Sequence, residues 1–179
     1  PELLDWLAVE FMESGWNIKH MHKLMLLSST FQQAAENPGA KDEDNRLLSR
    51  FVRRRLEAEA IRDSVLQASG RLNARMHGPS VFPPLPADLA DFARYGRTGD
   101  LMWETNEAEE DARRRSIYIF QRRSLPLPMM AAFDAIVFSE SCERRVSTTT
   151  PLQALALMNG SLVELESKQL AARIVEQVG

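Results

Sequence analysis

Ser116 to Asn159 reads SIYIFQRRSLPLPMMAAFDAIVFSESCERRVSTTTPLQALALMN, and the architecture is read outward from it. Ile117, Tyr118, Ile119 and Phe120 form a β-branched and aromatic cluster, which predicts a strand over Ser116 to Gln121. One strand leaves its backbone groups unpaired, so a partner is expected near Val146 to Thr149. Leu125-Pro-Leu-Pro128 predicts a turn into a short helix, Met129 to Phe133, ending near Asp134. Thr150 stands as an N-cap ahead of Pro151, and Gln153 at N3 completes a capping-box pattern. Asn159-Gly160 breaks that helix, and Ser161 restarts one to about Val178. Leu152, Leu155, Ala156 and Met158 are the expected inward side of the first, and Leu162, Leu165, Ala172 and Val175 of the second.

Upstream, Leu3, Leu4, Leu7, Ala8 and Phe11 recur at helical spacing over 2–14, with Gly15 as the stop. Asn17 caps a second helix expected to run to about Gln33, which makes a helical hairpin. His20 and His22 lie two apart on that helix, about 200° around it, so they cannot chelate one metal. The plainer reading is a surface histidine bonded to a neighbour. Arg46 to Gly70 reads as one long helix, or two joined near Arg55, with Ala58, Ile61, Val65, Ala68 and Leu72 inward. Charge is expected on its outer side, with Arg55–Glu59 as an i,i+4 pair and Arg62 beside Glu59 and Asp63. Arg53-Arg54-Arg55 reads either as an anion patch or as a solvated face neutralised by Glu57, Glu59 and Asp63. Residues 73–100 hold Gly78-Pro79, Pro83-Pro84 and Pro86 and predict a long irregular strap. Val81, Phe82, Leu85, Leu89 and Phe92 pin it to the core, and Ala87 to Tyr95 is a candidate short helix. The acidic run from Glu104 to Asp111 meets Arg113-Arg114-Arg115 in a loop or a charged helix.

The expected fold is therefore mainly α, an irregular helical domain with one small β element and a proline- and glycine-rich strap. A length of 179 residues suits one domain and buries a core without staples. A net charge of −3 carries no global signature for nucleic acid. No apolar run reaches the ~18–20 residues that span a membrane. Pro1 and Gly179 read as cuts in a longer multidomain protein, so missing targeting signals carry little weight.

Arg122, Arg123, Asp134, Cys142, Arg144, Arg145 and Thr148 are the candidate site residues. Asp134 with an arginine suits a sugar ring or a sulfate, because guanidinium offers forked donors. The alternative is an Asp134–Arg145 buried ion pair that clasps the loop to the last helices. Cys142, the single cysteine, needs a base to act as a nucleophile, and no histidine is near in sequence. It otherwise reads as a small packed residue or as half of a disulfide to another part of a longer chain. No metal site is expected.

RRSIYIFQRRSLPLPMMAAFD and CERRVSTTTPLQALALMN, with PELLDWLAVEFMESGWNIKHMHKLMLLSSTFQQ, NRLLSRFVRRRLEAEAIRDSVLQASGRL and the Gly78-Pro79 turn, carry a resemblance along nearly the whole chain. They resemble the C-terminal uncharacterised domain of large planctomycete proteins that also carry a cytochrome-c-like haem domain. The chain departs from that pattern at Ala135 to Glu140, where a polar, proline-containing link is usual, and at His77, where glycine is. The resemblance implies export to the periplasm or another extracytoplasmic space, and a haem elsewhere in the parent chain. This chain has no Cys-x-x-Cys-His, so it expects no cofactor of its own. Three function classes stand open. The first is a structural or interaction module packing on the other domains of the parent chain through Trp6, Trp16 and Trp103. The second is a carbohydrate- or anion-binding module. The third is an enzyme domain whose site a neighbour completes.

Overall fold

A computed structural model describes residues 1–36, 42–87, 89, 90, 103, 105–136 and 141–178. The protein is mainly helical, with seven α-helices and no sheet among the described residues. They are α1 (Glu2–Glu13), α2 (Ile18–Leu26), α3 (Ala58–Ala68), α4 (Glu109–Ala112), α5 (Pro128–Ala132), α6 (Pro151–Asn159) and α7 (Ser161–Val178). The chain divides into two compact units, Pro1–Arg54 and Arg55–Gly179.

In the first unit α1 and α2 form the expected hairpin. Gly15 takes φ +70, and the Trp16 N–H returns to the Phe11 carbonyl at 2.9 Å, closing α1 in a left-handed turn. Asn17 caps α2, its Oδ1 accepting from the His20 N–H at 3.1 Å. α2 ends at Leu26, short of the expected Gln33. Ser28 stops it, its hydroxyl accepting from the Phe31 N–H at 3.2 Å and donating to the Met25 carbonyl at 2.7 Å. None of this unit's described residues is fully buried.

The second unit holds the core. Ala58 on α3, Val81, Trp103, Ile119, Leu125, and Met130 with Phe133 at the end of α5 make one buried cluster. Phe82, Leu85 and Leu89 of the strap pack against it as expected, while Phe92 lies outside the described residues. The Ala87 to Tyr95 helix falls mostly outside them too. Trp103, expected at the surface, is buried, and its Nε1 donates to the Pro83 carbonyl at 2.8 Å. α3 packs against α5 and α7, and α6 against α5 and α7.

Three expectations fail for identifiable reasons. The long helix from Arg46 shrinks to α3, because Asp42 and Asn45 bind backbone groups of the segment in a competing turn. Asp42 accepts from the Arg46 and Leu47 N–H groups, both at 2.9 Å, and Asn45 from that of Arg50 at 3.1 Å. The strand at Ser116 is a 3-10 turn (Ser116–Tyr118) leading into an isolated parallel bridge. Its partner is Val81 of the strap, not Val146 to Thr149: Val81 N–H donates to the Tyr118 carbonyl at 2.8 Å, and Phe120 N–H to that of Val81 at 2.9 Å. The inward stripe of α3 is Ala58, Arg62 and Leu66, with Ser69 beyond, whereas Ala68 is exposed and Val65 half-buried. A charged residue thus sits where the hydrophobic pattern had put none.

Candidate functional site

Asp134 lies just past α5 in the left-handed region, φ +58, a conformation that Asp tolerates better than most residues. This turn sends its carboxylate to Thr148. The Thr148 N–H donates to Oδ2 at 2.7 Å, and the Thr148 hydroxyl donates at 2.9 Å to Oδ1. Gln153, 3 % exposed, adds a long bond from Nε2 at 3.5 Å. The Thr148 backbone bond, then its hydroxyl, hold the Asp134 carboxyl below the usual carboxylate range. Gln153 also closes the α6 capping box, its Oε1 accepting from the Thr150 N–H at 2.9 Å. Arg55 donates to the same Oε1, and to the Thr149 hydroxyl at 3.1 Å.

Arg145 does not meet Asp134. It forks onto Glu59 of α3, at 2.6 Å and 3.0 Å, with Glu57 at 3.2 Å. The Arg145 hydrogen bond lowers the Glu59 pKa, and the Glu59 hydrogen bond raises that of Arg145. The expected ion pair is replaced by two separate clasps, Asp134–Thr148 and Glu59–Arg145. The first closes the segment between α5 and α6 on itself, and the second ties that segment to α3. The Arg55–Glu59 pair is absent for the same reason, since each residue is engaged across the fold rather than along a helix.

The remaining candidates disperse. Arg122 is half-buried and partnered, with an antiparallel bridge to Leu125. Arg123 and Arg144 are exposed and form no ion pair with a described residue. Cys142 is exposed, which overturns its reading as a packed residue. A shallow concavity of about 670 Å³ is lined by Asp134, Ala135, Cys142, Arg144 and Arg145 among others. Of its two acids, Asp134 is engaged by Thr148, and its Arg145 by Glu59, while Glu143 is exposed at the rim. The described residues hold no group of three or more His, Cys, Asp or Glu arranged for a metal. His20 takes the plainer role expected of it, bonded to Glu10 at 2.7 Å. In the arginine run, Arg53 pairs with Glu36 and Arg55 bonds Gln153 and Thr149, while Glu57 and Glu59 pair with Arg145 and Asp63 with Arg62 and Arg115, so the three acids expected to neutralise the run are engaged elsewhere.

The family model described as PSD1, Protein of unknown function (DUF1553), matches residues 1–178. The chain belongs to this family. No curated protein and no solved structure matches it.

Sequence reasoning missed the most heavily invested polar groups of this PSD1 domain. Arg62, 4 % exposed, donates to the Ala112 carbonyl at 2.7 Å, the Arg114 carbonyl at 3.0 Å and the Ser116 hydroxyl at 3.1 Å. Asp63 accepts from the Ser116 N–H at 2.8 Å and its hydroxyl at 2.6 Å. Burial pushes the Arg62 pKa down to about 10, which still leaves it charged at neutral pH. Arg114, 1 % exposed, stacks on the Tyr118 ring at 4.0 Å and donates to strap carbonyls, at 3.1 Å to Pro79 and also to His77. His77 takes φ +63 there, the left-handed backbone that glycine favours. Glu166, 2 % exposed, lies 3.5 Å from Arg71. The signal within reach was RRRS at 113–116, directly ahead of the aromatic run; nothing in it tells a buried guanidinium from a solvated one.

Proposed function

We propose that this PSD1 domain is a structural and interaction module that packs on other domains of a longer chain. One observation carries the reading. α6 and α7 bury Gln153 and Glu166 and, although Ala156 packs on the core and Leu162 is half-buried, turn several large apolar side chains outward. Leu152 is 69 % exposed, Met158 76 % and Val175 71 %. Helices that bury a polar residue and leave large apolar ones exposed are complete only with a second surface against them. Following the family resemblance, the occupant is another domain of an exported, haem-bearing planctomycete protein, and the haem belongs to that other domain. The expected extracytoplasmic setting is part of this proposal. No helix among the described residues is long and apolar enough to cross a membrane.

The experiment is co-expression of this chain with the remainder of its parent protein as a separate chain. A complex that Met158→Asp and Val175→Asp abolish, with helicity unchanged, supports the reading. Failure to associate, or association that these variants leave intact, overturns it. A second reading, an anion or sulfated-glycan module, draws on exposed Arg144 at the concavity. It requires salt-sensitive binding of a sulfated oligosaccharide that Arg144→Ala removes.

A further inference from the structure

We propose that the α1–α2 hairpin is a self-association surface, and that its occupant is the same hairpin of a second copy of this chain. The inference uses different elements from the reading above and stands or falls separately.

α1 is apolar on nearly every side, yet none of its residues is buried. Leu7 and Phe11 are half-buried on the α2 side, where Glu10 reaches His20. The other side repeats at helical spacing: Glu2, Trp6, Val9 and Glu13 share one stripe, at i, i+4, i+7 and i+11. Trp6 is 50 % exposed and Val9 45 %. α2 behaves alike. His20, Met21 and Leu24 are half-buried, while Ile18, His22 and Met25 form an exposed stripe at i, i+4 and i+7. Each helix has one neighbour in the hairpin, and the apolar side chains of its exposed stripe have no second one among the described residues.

Charge selects the second neighbour. α1 carries Glu2, Asp5, Glu10 and Glu13 and no basic residue. α2 carries Lys19, Lys23 and two histidines and no acidic residue. Glu10 is used within the hairpin, but Asp5, Glu13, Lys19 and Lys23 make no ion pair with a described residue. An all-acidic helix folded back beside an all-basic one is self-complementary. A two-fold axis lays the acidic α1 of one copy on the basic α2 of the other, with Trp6, Val9, Ile18 and Met25 between them. An isologous interface requires that relation, in which i meets j and j meets i. A partner of a single sign would satisfy one helix and repel the other.

The test is sedimentation velocity on the whole 179-residue chain across the micromolar range, at low and high salt. The expected result is a dimer whose dissociation constant rises with salt. Trp6→Asp yields a monomer. Glu13→Lys weakens the dimer by about tenfold at low salt, and adding Lys23→Glu restores most of that loss. Should Trp6→Asp fail to fold, the charge pair still decides, because it leaves the apolar packing untouched. A monomer throughout the range overturns the proposal. So does a dimer that Trp6→Asp leaves intact, or one in which the double charge reversal is no tighter than Glu13→Lys alone. None of these outcomes bears on the α6–α7 surface, which the co-expression experiment addresses.

Discussion

Arg62 brings a full charge into the second unit and joins three carbonyl or hydroxyl oxygens that lie 50 to 54 residues further along the chain. Removing it strands the Ala112 and Arg114 carbonyls and leaves Asp63 without its nearest cation. Arg62→Ala is expected to cost about 3–5 kcal/mol, read from the urea midpoint, because it breaks a buried charged network from one side. Glu59→Gln removes one half of a partly exposed fork, so about 1–2 kcal/mol is expected once solvent screening is allowed for. Glu59 and Asp134 also set an acid limit. Both have folded pKa values below their ordinary 4.5 and 3.8. Their contribution is therefore complete above those values and is lost as pH falls through the lower folded ones. Urea midpoints measured against pH should drop below about 4.5 in the wild type and drop less steeply in Glu59→Gln and Asp134→Asn. Seven candidate residues were legible as an unusual cluster; their pairing was not. Thr148 lies 14 residues beyond Asp134, and Glu59 lies 86 before Arg145. Sequence spacing says nothing about such distant partners.

At the scale of elements, local signals worked wherever a local hydrogen bond decides. The Asn17 cap, the Gly15 stop, and the Thr150-Pro151 start with Gln153 at N3 all depend on groups a few residues apart. Gly160 separates α6 from α7 with an ordinary φ of −68, but a Cβ there would strike the Ala156 carbonyl closer than real Cβ contacts come. Gly160→Ala should cost about 1–3 kcal/mol and shift the corner between the two helices, visible as lost near-ultraviolet signal and a lower thermal midpoint. Gly70 sits at φ +78 with Arg173 3.2 Å from where a Cβ would stand, so Gly70→Ala should cost at least about 1 kcal/mol. Strand and stripe failed where local propensity met a distant competitor. Tyr118 and Phe120 have strand-forming side chains, but among the described residues the segment pairs with Val81 of the strap through one isolated bridge. α3 reads as amphipathic with Val65 and Ala68 inward, yet its Arg62 face turns in because oxygen atoms of 112–116 wait there for a donor.

At the scale of the molecule, the two units differ in how they are held. The second has a buried cluster from Ala58 to Phe133; none of the described residues of the first, about 54 residues long, is fully buried. Amide hydrogen exchange should therefore protect α3 far more than α1 and α2 in dilute solution, with hairpin protection rising with protein concentration as copies associate. Equal protection of all three helices in dilute solution would contradict this. Composition, helical periodicity and caps determined by themselves that the chain is mainly helical and where most of its helices start and stop, because each rests on neighbours within a turn or two. The tertiary structure alone decided that Arg62, Arg114, Gln153 and Glu166 go inside, and that Asp134 clasps Thr148 rather than Arg145. It also decided that Leu152, Met158 and Val175 face out. Burial of a polar group is favourable only when its partners arrive with it, and those partners come from parts of the chain that only folding brings together.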